Sequence, residues 1–220
     1  MVTGLDHFHY EMADRAIEAF FQQTYPNKHL IIVNDGDLSL KATHPKRITE
    51  IRPKKRMPLG KLRNIALRKV PKNAMWVQWD DDDWNHPLRI EKQYQDIRKR
   101  KLAGSCLARF YYYSFEKDSI GFNGSTMCPG TIMCRKKPDV KYPPERRVGE
   151  DAVFRTRYRK KYRLKSYENP RGLLYKFIHG KNVWAKSQGK GLEQGWRGEE
   201  EDLKILRYIL NAKYFFVKDY

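Results

Sequence analysis

Residues 77–89 read VQWDDDDWNHPLR, and the apolar run Ala74 to Trp79 passes straight into Asp80-Asp81-Asp82-Asp83. Four neighbouring carboxylates repel one another strongly wherever water is scarce, so a positive partner must sit beside them. In an open α/β sheet ligands bind beyond the carboxyl ends of the strands. A divalent cation that prefers oxygen, Mg²⁺ or Mn²⁺, takes one or two carboxylates and completes its shell with substrate phosphates. The competing reading is a solvated acidic loop or a charged helix start. Trp79 and Trp84 on either side of the run make a plain surface loop less attractive.

Upstream, apolar runs alternate with helical patterns, the order expected of a parallel sheet with helices on its faces. Met1 to Leu5 reads as a short strand. Ala13, Ala16, Ile17, Phe20 and Phe21 recur at helical spacing, and Tyr25-Pro26-Asn27 closes that helix before an apolar strand, His29 to Val33. The basic segment Lys46 to Lys61, interrupted by Pro53 and Pro58, reads as a loop. From Leu59 the pattern is helical again, and Pro71-Lys72-Asn73 ends it before the aspartate-bearing strand. Downstream, a helix is expected from Leu88 to Lys101, a strand from Gly104 to Tyr113, and antiparallel strands with loops from Lys117 to Arg135. Glu150 to Tyr158 can open a helix, and Glu199 to Leu210 shows helical periodicity behind an acidic first turn.

A second acidic point, Val33-Asn34-Asp35-Gly36-Asp37, also follows an apolar strand. Asp35 there could accept hydrogen bonds from a base or ribose, although Asn-Asp-Gly-Asp by itself is an ordinary turn. Its value lies in its pairing with the aspartate run.

Three segments, AIEAFFQQTYPNKHLIIVNDGD (16–37), LGKLRNIA (59–66) and VQWDDDDWNHPLR (77–89), together resemble family 2 glycosyltransferases of the GT-A fold, in the right order and at fitting separations. The resemblance is dense over about the first hundred residues and thins to short matches beyond them. It implies an α/β, Rossmann-like single domain with a central, mostly parallel mixed sheet flanked by helices. On that plan residues 1–101 form the nucleotide-sugar donor half, 102–198 the acceptor and catalytic half, and 199–220 a C-terminal helix and tail; the whole could be cut from a longer chain.

The resemblance also implies roles. Asp35 would hold the nucleotide base and Arg63 would lie near the nucleotide, with Thr3 and Gly4 flanking it from the first strand. Asp80 and Asp82 would form the Asp-x-Asp motif for metal and diphosphate, Asp82 being the direct ligand and Asp81 and Asp83 its neighbours; the run of four leaves the register open by one residue. Gly149-Glu150-Asp151 resembles the family's Glu-Asp pair, which assigns the general base to Asp151 with Glu150 as competitor. Phe177-Ile178-His179-Gly180 resembles the C-terminal histidine that completes the metal shell in many such enzymes. The expected cofactor is Mn²⁺ or Mg²⁺, the donor a UDP-sugar ahead of a GDP-sugar, and the acceptor a glycan or glycoprotein.

Composition narrows the remaining classes. Forty-five Lys and Arg against 26 Asp and Glu leave a formal charge of +19, suited to phosphate groups, an anionic membrane surface or an acidic acceptor. The basic, aromatic-interleaved RTRYRKKYR (155–163) raises a nucleic-acid-binding alternative. Four aspartates at a strand end have no place in such a module unless it is a metal-dependent nuclease or nucleotidyltransferase, so nucleic acid is the less favoured partner. Cys106, Cys128 and Cys134 lack metal-site spacing and, being odd in number, suggest no disulfide framework. No apolar run approaches the ~20 residues that span a bilayer, so the expected location is cytoplasmic, soluble or peripheral to a membrane.

Overall fold

The computed structural model describes residues 1–4, 6–40, 46–108, 110–117, 119–123, 127–168, 173–179, 182 and 204. The expected C-terminal helix therefore lies outside the described residues, apart from Lys204.

Helix α1 (His7–Phe21) starts where Asp6 accepts a hydrogen bond from His9 N at 3.0 Å, which caps one of the unpaired first-turn amides. Its apolar stripe, Ala13, Ala16, Ile17 and Phe20, is buried, and Trp79 closes over it with its indole N–H donating to Ala16 O at 3.0 Å. Strands β1 (Val2–Thr3), β2 (Leu30–Asn34) and β3 (Ile48–Ile51) are parallel in the order β1-β2-β3. Strand β3 corrects the expectation of a loop from Lys46 to Lys61. The four residues ITEI lie between the basic pair Lys46-Arg47 and Pro53, too short a run to show a period, and cross-strand pairing with β2 decides their conformation.

After helix α2 (Leu59–Lys69) come β4 (Met75–Val77), a turn at Asp81 and Asp82, and β5 (Asp83–Asn85). Helix α3 (Arg89–Lys99) follows; its Arg89 is 1% exposed, with the guanidinium 5.5 Å from the Trp79 ring centre and bonded to Asn85 Oδ1. That buried arginine braces the segment just beyond the aspartates.

The expected single strand from Gly104 to Tyr113 is two, β6 (Gly104–Leu107) and β7 (Phe110–Ser114), which sit in different sheets. Strand β8 (Ser119–Asn123) pairs antiparallel with β7, and β9 (Met133–Arg135) antiparallel with β4 and β6, as the Gly, Ser and Thr content suggests. Helix α4 (Glu150–Lys161) leads to β10 (Leu164–Tyr167) and β11 (Leu174–Ile178). The two mixed sheets have the orders β10-β6-β9-β4 and β5-β11-β7-β8.

Parallel pairing thus dominates the first part of the chain, and parallel and antiparallel pairs mix in the second, around helices packed on the sheets. Between β1 and β4, which are not hydrogen-bonded to each other, lies a cavity of about 640 Å³ whose walls include Arg63, Gln78 and Tyr142. Strands β4 and β5, both within residues 1–101, take their partners β9 and β11 from beyond that boundary.

Candidate active site

The carboxyl ends of β1 and β2 meet where Thr3 O accepts from Asp35 N at 2.9 Å. Gly4 lies so close to Gly36 that a Cβ on it would come within 2.4 Å of Gly36 N, and glycine alone allows this approach. Asp35 accepts from Met57 N at 3.2 Å through Oδ2, while its Oδ1 is buried without a hydrogen-bond partner among the described residues. A buried carboxylate oxygen without a donor is costly, and a base or ribose N–H or O–H would satisfy it.

Each of the four aspartates has a different neighbourhood. Asp80 Oδ1 accepts from both terminal nitrogens of Arg63 at 3.1 Å and from Gln78 Nε2 at 3.2 Å, and Gln78 is in turn fixed by Tyr142 OH at 2.9 Å. Burial works against its ionisation, but Arg63, Lys176 and these hydrogen bonds outweigh it and bring the carboxyl from 3.8 down to about 2. Asp81 has Thr3 as a hydrogen-bonding neighbour; burial and the Asp82 carboxylate push it well above the usual carboxylate range. Asp82 Oδ2 is 3.2 Å from Asn182 Nδ2 and 3.5 Å from His179 Nε2. Burial opposes its charge, and the His179 and Lys176 contacts prevail, so its pKa is lowered. Asp83, in β5, is 5% exposed and bonds Lys176 Nζ at 2.7 Å; burial raises it to about 7 against the pull of that ammonium.

Arg63 ties the two parts of the site together. Its Nε lies 2.8 Å from Glu150 Oε1, a charge contact rather than an aligned hydrogen bond, and its guanidinium sits 5.7 Å from the centre of the Tyr142 ring. Glu150 is 2% exposed, and burial raises its pKa although Arg63 opposes the shift. Asp151, next along α4, is the less buried of the pair and accepts from Ala152 N at 2.7 Å. A Cβ on Gly130 would stand 3.1 Å from Asp80 Oδ2 and 3.5 Å from Asp151 Oδ2. The space in front of that glycine is therefore bordered by an aspartate of the run and by the head of α4.

The donor set suits a divalent cation that shares its ligands with a substrate. Asp82 Oδ2 and His179 Nε2 are neighbouring donors of the two kinds such ions accept; Asn182 Nδ2, 2.9 Å from that same Nε2 and 3.2 Å from Asp82 Oδ2, stands between them and would have to turn aside for a cation, while the Phe8 ring packs 4.4 Å from the imidazole. Its Nδ1 is buried without a partner among the described residues. No three His, Cys, Asp or Glu side chains among those residues form a metal cage of their own. A cation here would draw the rest of its shell from phosphate oxygens and water.

The sequence-based site residues accordingly come together in two linked groups. Thr3, Gly4 and Asp35 stand at one end, and Arg63, the aspartates, Glu150, Asp151 and His179 at the other, joined through the contact of Thr3 with Asp81. Sequence reasoning missed Gln78, Tyr142, Lys176 and Asn182. Lys176 did leave a signal: a lysine inside the otherwise apolar LLYKFI (173–178) calls for a buried anion.

A family model described as glycosyl transferase family 2 matches residues 9–176, and the chain belongs to that family. Several solved structures share the fold. TarS 1-349 from S. aureus in complex with UDP-GlcNAc is 15% identical with a TM-score of 0.59, covering 96% of this chain and 66% of that one. The same protein in complex with UDP is 14% identical, with a TM-score of 0.58 over 99% of this chain and 71% of that one. The mannosyltransferase PcManGT from Pyrobaculum calidifontis, in complex with GDP-Man and Mn²⁺, is 14% identical with a TM-score of 0.61, covering 96% and 68%. The chain spans 59% of another TarS 1-349 structure and 43% of a longer TarS chain. No curated protein sequence matches it. Among the described residues, no helix is long and apolar enough to cross a membrane.

Proposed function

We propose that the protein transfers a sugar from a nucleoside-diphosphate sugar, a UDP-sugar in the first instance, to the hydroxyl group of a glycan or glycoprotein acceptor. The observation that carries this reading is the space at Gly130, which Asp80 and Asp151 border from opposite elements of the fold. Asp35 receives the base or ribose at its unpartnered Oδ1. Asp82 and His179 would hold Mn²⁺ or Mg²⁺, and Asp80 and Asp81 would line the diphosphate pocket beside them. A cation bound there would supply Lewis-acid charge to the diphosphate leaving group.

Asp151, more exposed than Glu150 and free of the Arg63 contact, takes the proton from the acceptor oxygen as that oxygen attacks the anomeric carbon. The C–O bond to the diphosphate breaks as the new C–O bond forms, and a single displacement of this kind inverts the anomeric configuration. Glu150, committed to Arg63, keeps the head of α4 beside the aspartates.

Calorimetric titration with UDP and GDP, with and without Mn²⁺, tests the donor site. Mn²⁺-dependent binding of one nucleotide, abolished in Asp82→Ala, is the expected result and identifies the donor class. Absence of binding for both nucleotides with Mn²⁺ present overturns the reading. Release of pyrophosphate in place of a nucleoside diphosphate during turnover would point to nucleotidyl transfer.

A further inference from the structure

We propose that Lys176 makes metal uptake depend on the donor: its ammonium neutralises Asp83 and Asp80, so that Asp82 and His179 hold a divalent ion firmly only when a diphosphate adds its oxygens. The inference rests on the metal-dependent donor reading above and concerns a residue to which that reading gives no role.

Strand pairing puts Lys176 in place. Strand β11 runs between β5 and β7, with Lys176 opposite Asp83 on one side and Tyr112 on the other. Its neighbours in sequence, Tyr175 and Phe177, pack with Phe8 and Tyr113 on one face of this sheet. Lys176, at the alternate position, reaches the aspartates, with Nζ 2.7 Å from Asp83 Oδ2 and 3.6 Å from Asp80 Oδ2. The side chain is 13% exposed, so water screens its charge only weakly.

Neighbouring carboxylates without an internal cation attract a divalent ion strongly even with no substrate present. With Arg63 on Asp80 and Lys176 on Asp83 and Asp80, two of the four are already compensated. What remains for a metal is one carboxylate with an imidazole beside it and Asp81 next in the chain. The ammonium also repels any divalent ion placed at Asp82, which weakens binding of the ion alone. A diphosphate carries its own negative charge and restores the balance, so ion and donor enter as a unit.

The test is calorimetry with Mn²⁺ alone and with Mn²⁺ in the presence of UDP, on the wild type, Lys176→Gln and Lys176→Arg. Gln keeps a hydrogen-bonding group near Asp83 without the charge. The expected result is Mn²⁺ uptake without nucleotide about ten-fold tighter in Lys176→Gln than in the wild type, with Lys176→Arg close to the wild type. Equal or weaker uptake by Lys176→Gln overturns the inference. If circular dichroism shows that variant unfolded, Lys176→Met, which removes the charge and keeps an unbranched side chain, replaces it: tighter Mn²⁺ uptake than in the wild type is expected, and equal or weaker uptake overturns the inference. A wild type that binds UDP with Mn²⁺ beside an unaltered Lys176→Gln counts against Lys176 alone. A wild type that binds no nucleotide with Mn²⁺ overturns both readings.

Discussion

Arg63 grips Asp80 with both terminal nitrogens, each 3.1 Å from the same carboxylate oxygen, and in doing so fixes the first aspartate of the run to α2. The same guanidinium faces Glu150 at the head of α4. Removing it takes the paired cation from Glu150 and leaves Asp80 with the Lys176 ammonium alone, 3.6 Å away. Arg63→Met should lower stability by about 3–5 kcal/mol, read from urea denaturation. Arg63→Lys should fall between the two, because a point charge cannot reproduce the forked contact.

The same pair sets an acid limit. Asp80 is held at about 2 against an ordinary 3.8, so the unfolded chain takes up its proton at a higher pH than the folded one. The contribution of Asp80 to stability is complete above 3.8 and is lost as pH falls toward about 2. Thermal melts across that window should show a falling Tm in the wild type and a flatter profile in Asp80→Asn.

Asp35→Ala removes the unpartnered acceptor at the ends of β1 and β2 while leaving the aspartate run untouched. The dissociation constant for UDP should rise about ten-fold, the worth of one hydrogen bond to a charged group. Mn²⁺ uptake should not change, and calorimetry reads both quantities. A fall in both together would mean that Asp35 supports the whole site.

The two neighbours at the head of α4 should separate in their effects. Asp151→Asn should lower kcat by roughly 10²–10⁴ with UDP binding retained, as expected for loss of a general base. Glu150→Gln should act mainly on stability, because Glu150 is buried against Arg63. Turnover and denaturation measured on the same preparations distinguish the two roles.

Much of this arrangement could be read from the residues alone where a period or a charge run was strong. The stripe Ala13, Ala16, Ile17, Phe20 announced α1, and the passage from an apolar strand into Asp80 announced the site. Strand β3 escaped because ITEI is shorter than any period that could reveal it, and its pairing with β2 is a long-range event. The lysine of β11 was visible as an oddity within LLYKFI, but its partner could not be: Asp83 becomes its neighbour only through the antiparallel register of β5 and β11. Likewise Arg63, Asp80 and Glu150 are far apart in sequence, and only the folded chain shows that one guanidinium serves both carboxylates.

The pairing of β4 with β9 and of β5 with β11 has a consequence for the order in which the molecule can be made. A ribosome that has released residues 1–101 has delivered all four aspartates and Arg63, yet neither the strands that pair with β4 and β5 nor the lysine that offsets Asp83. Until β11 emerges, burying that turn would enclose more negative charge than positive, so the nascent aspartates stay in water. The turn therefore closes only once β11 has been made, although its four aspartates come well before that strand in the chain.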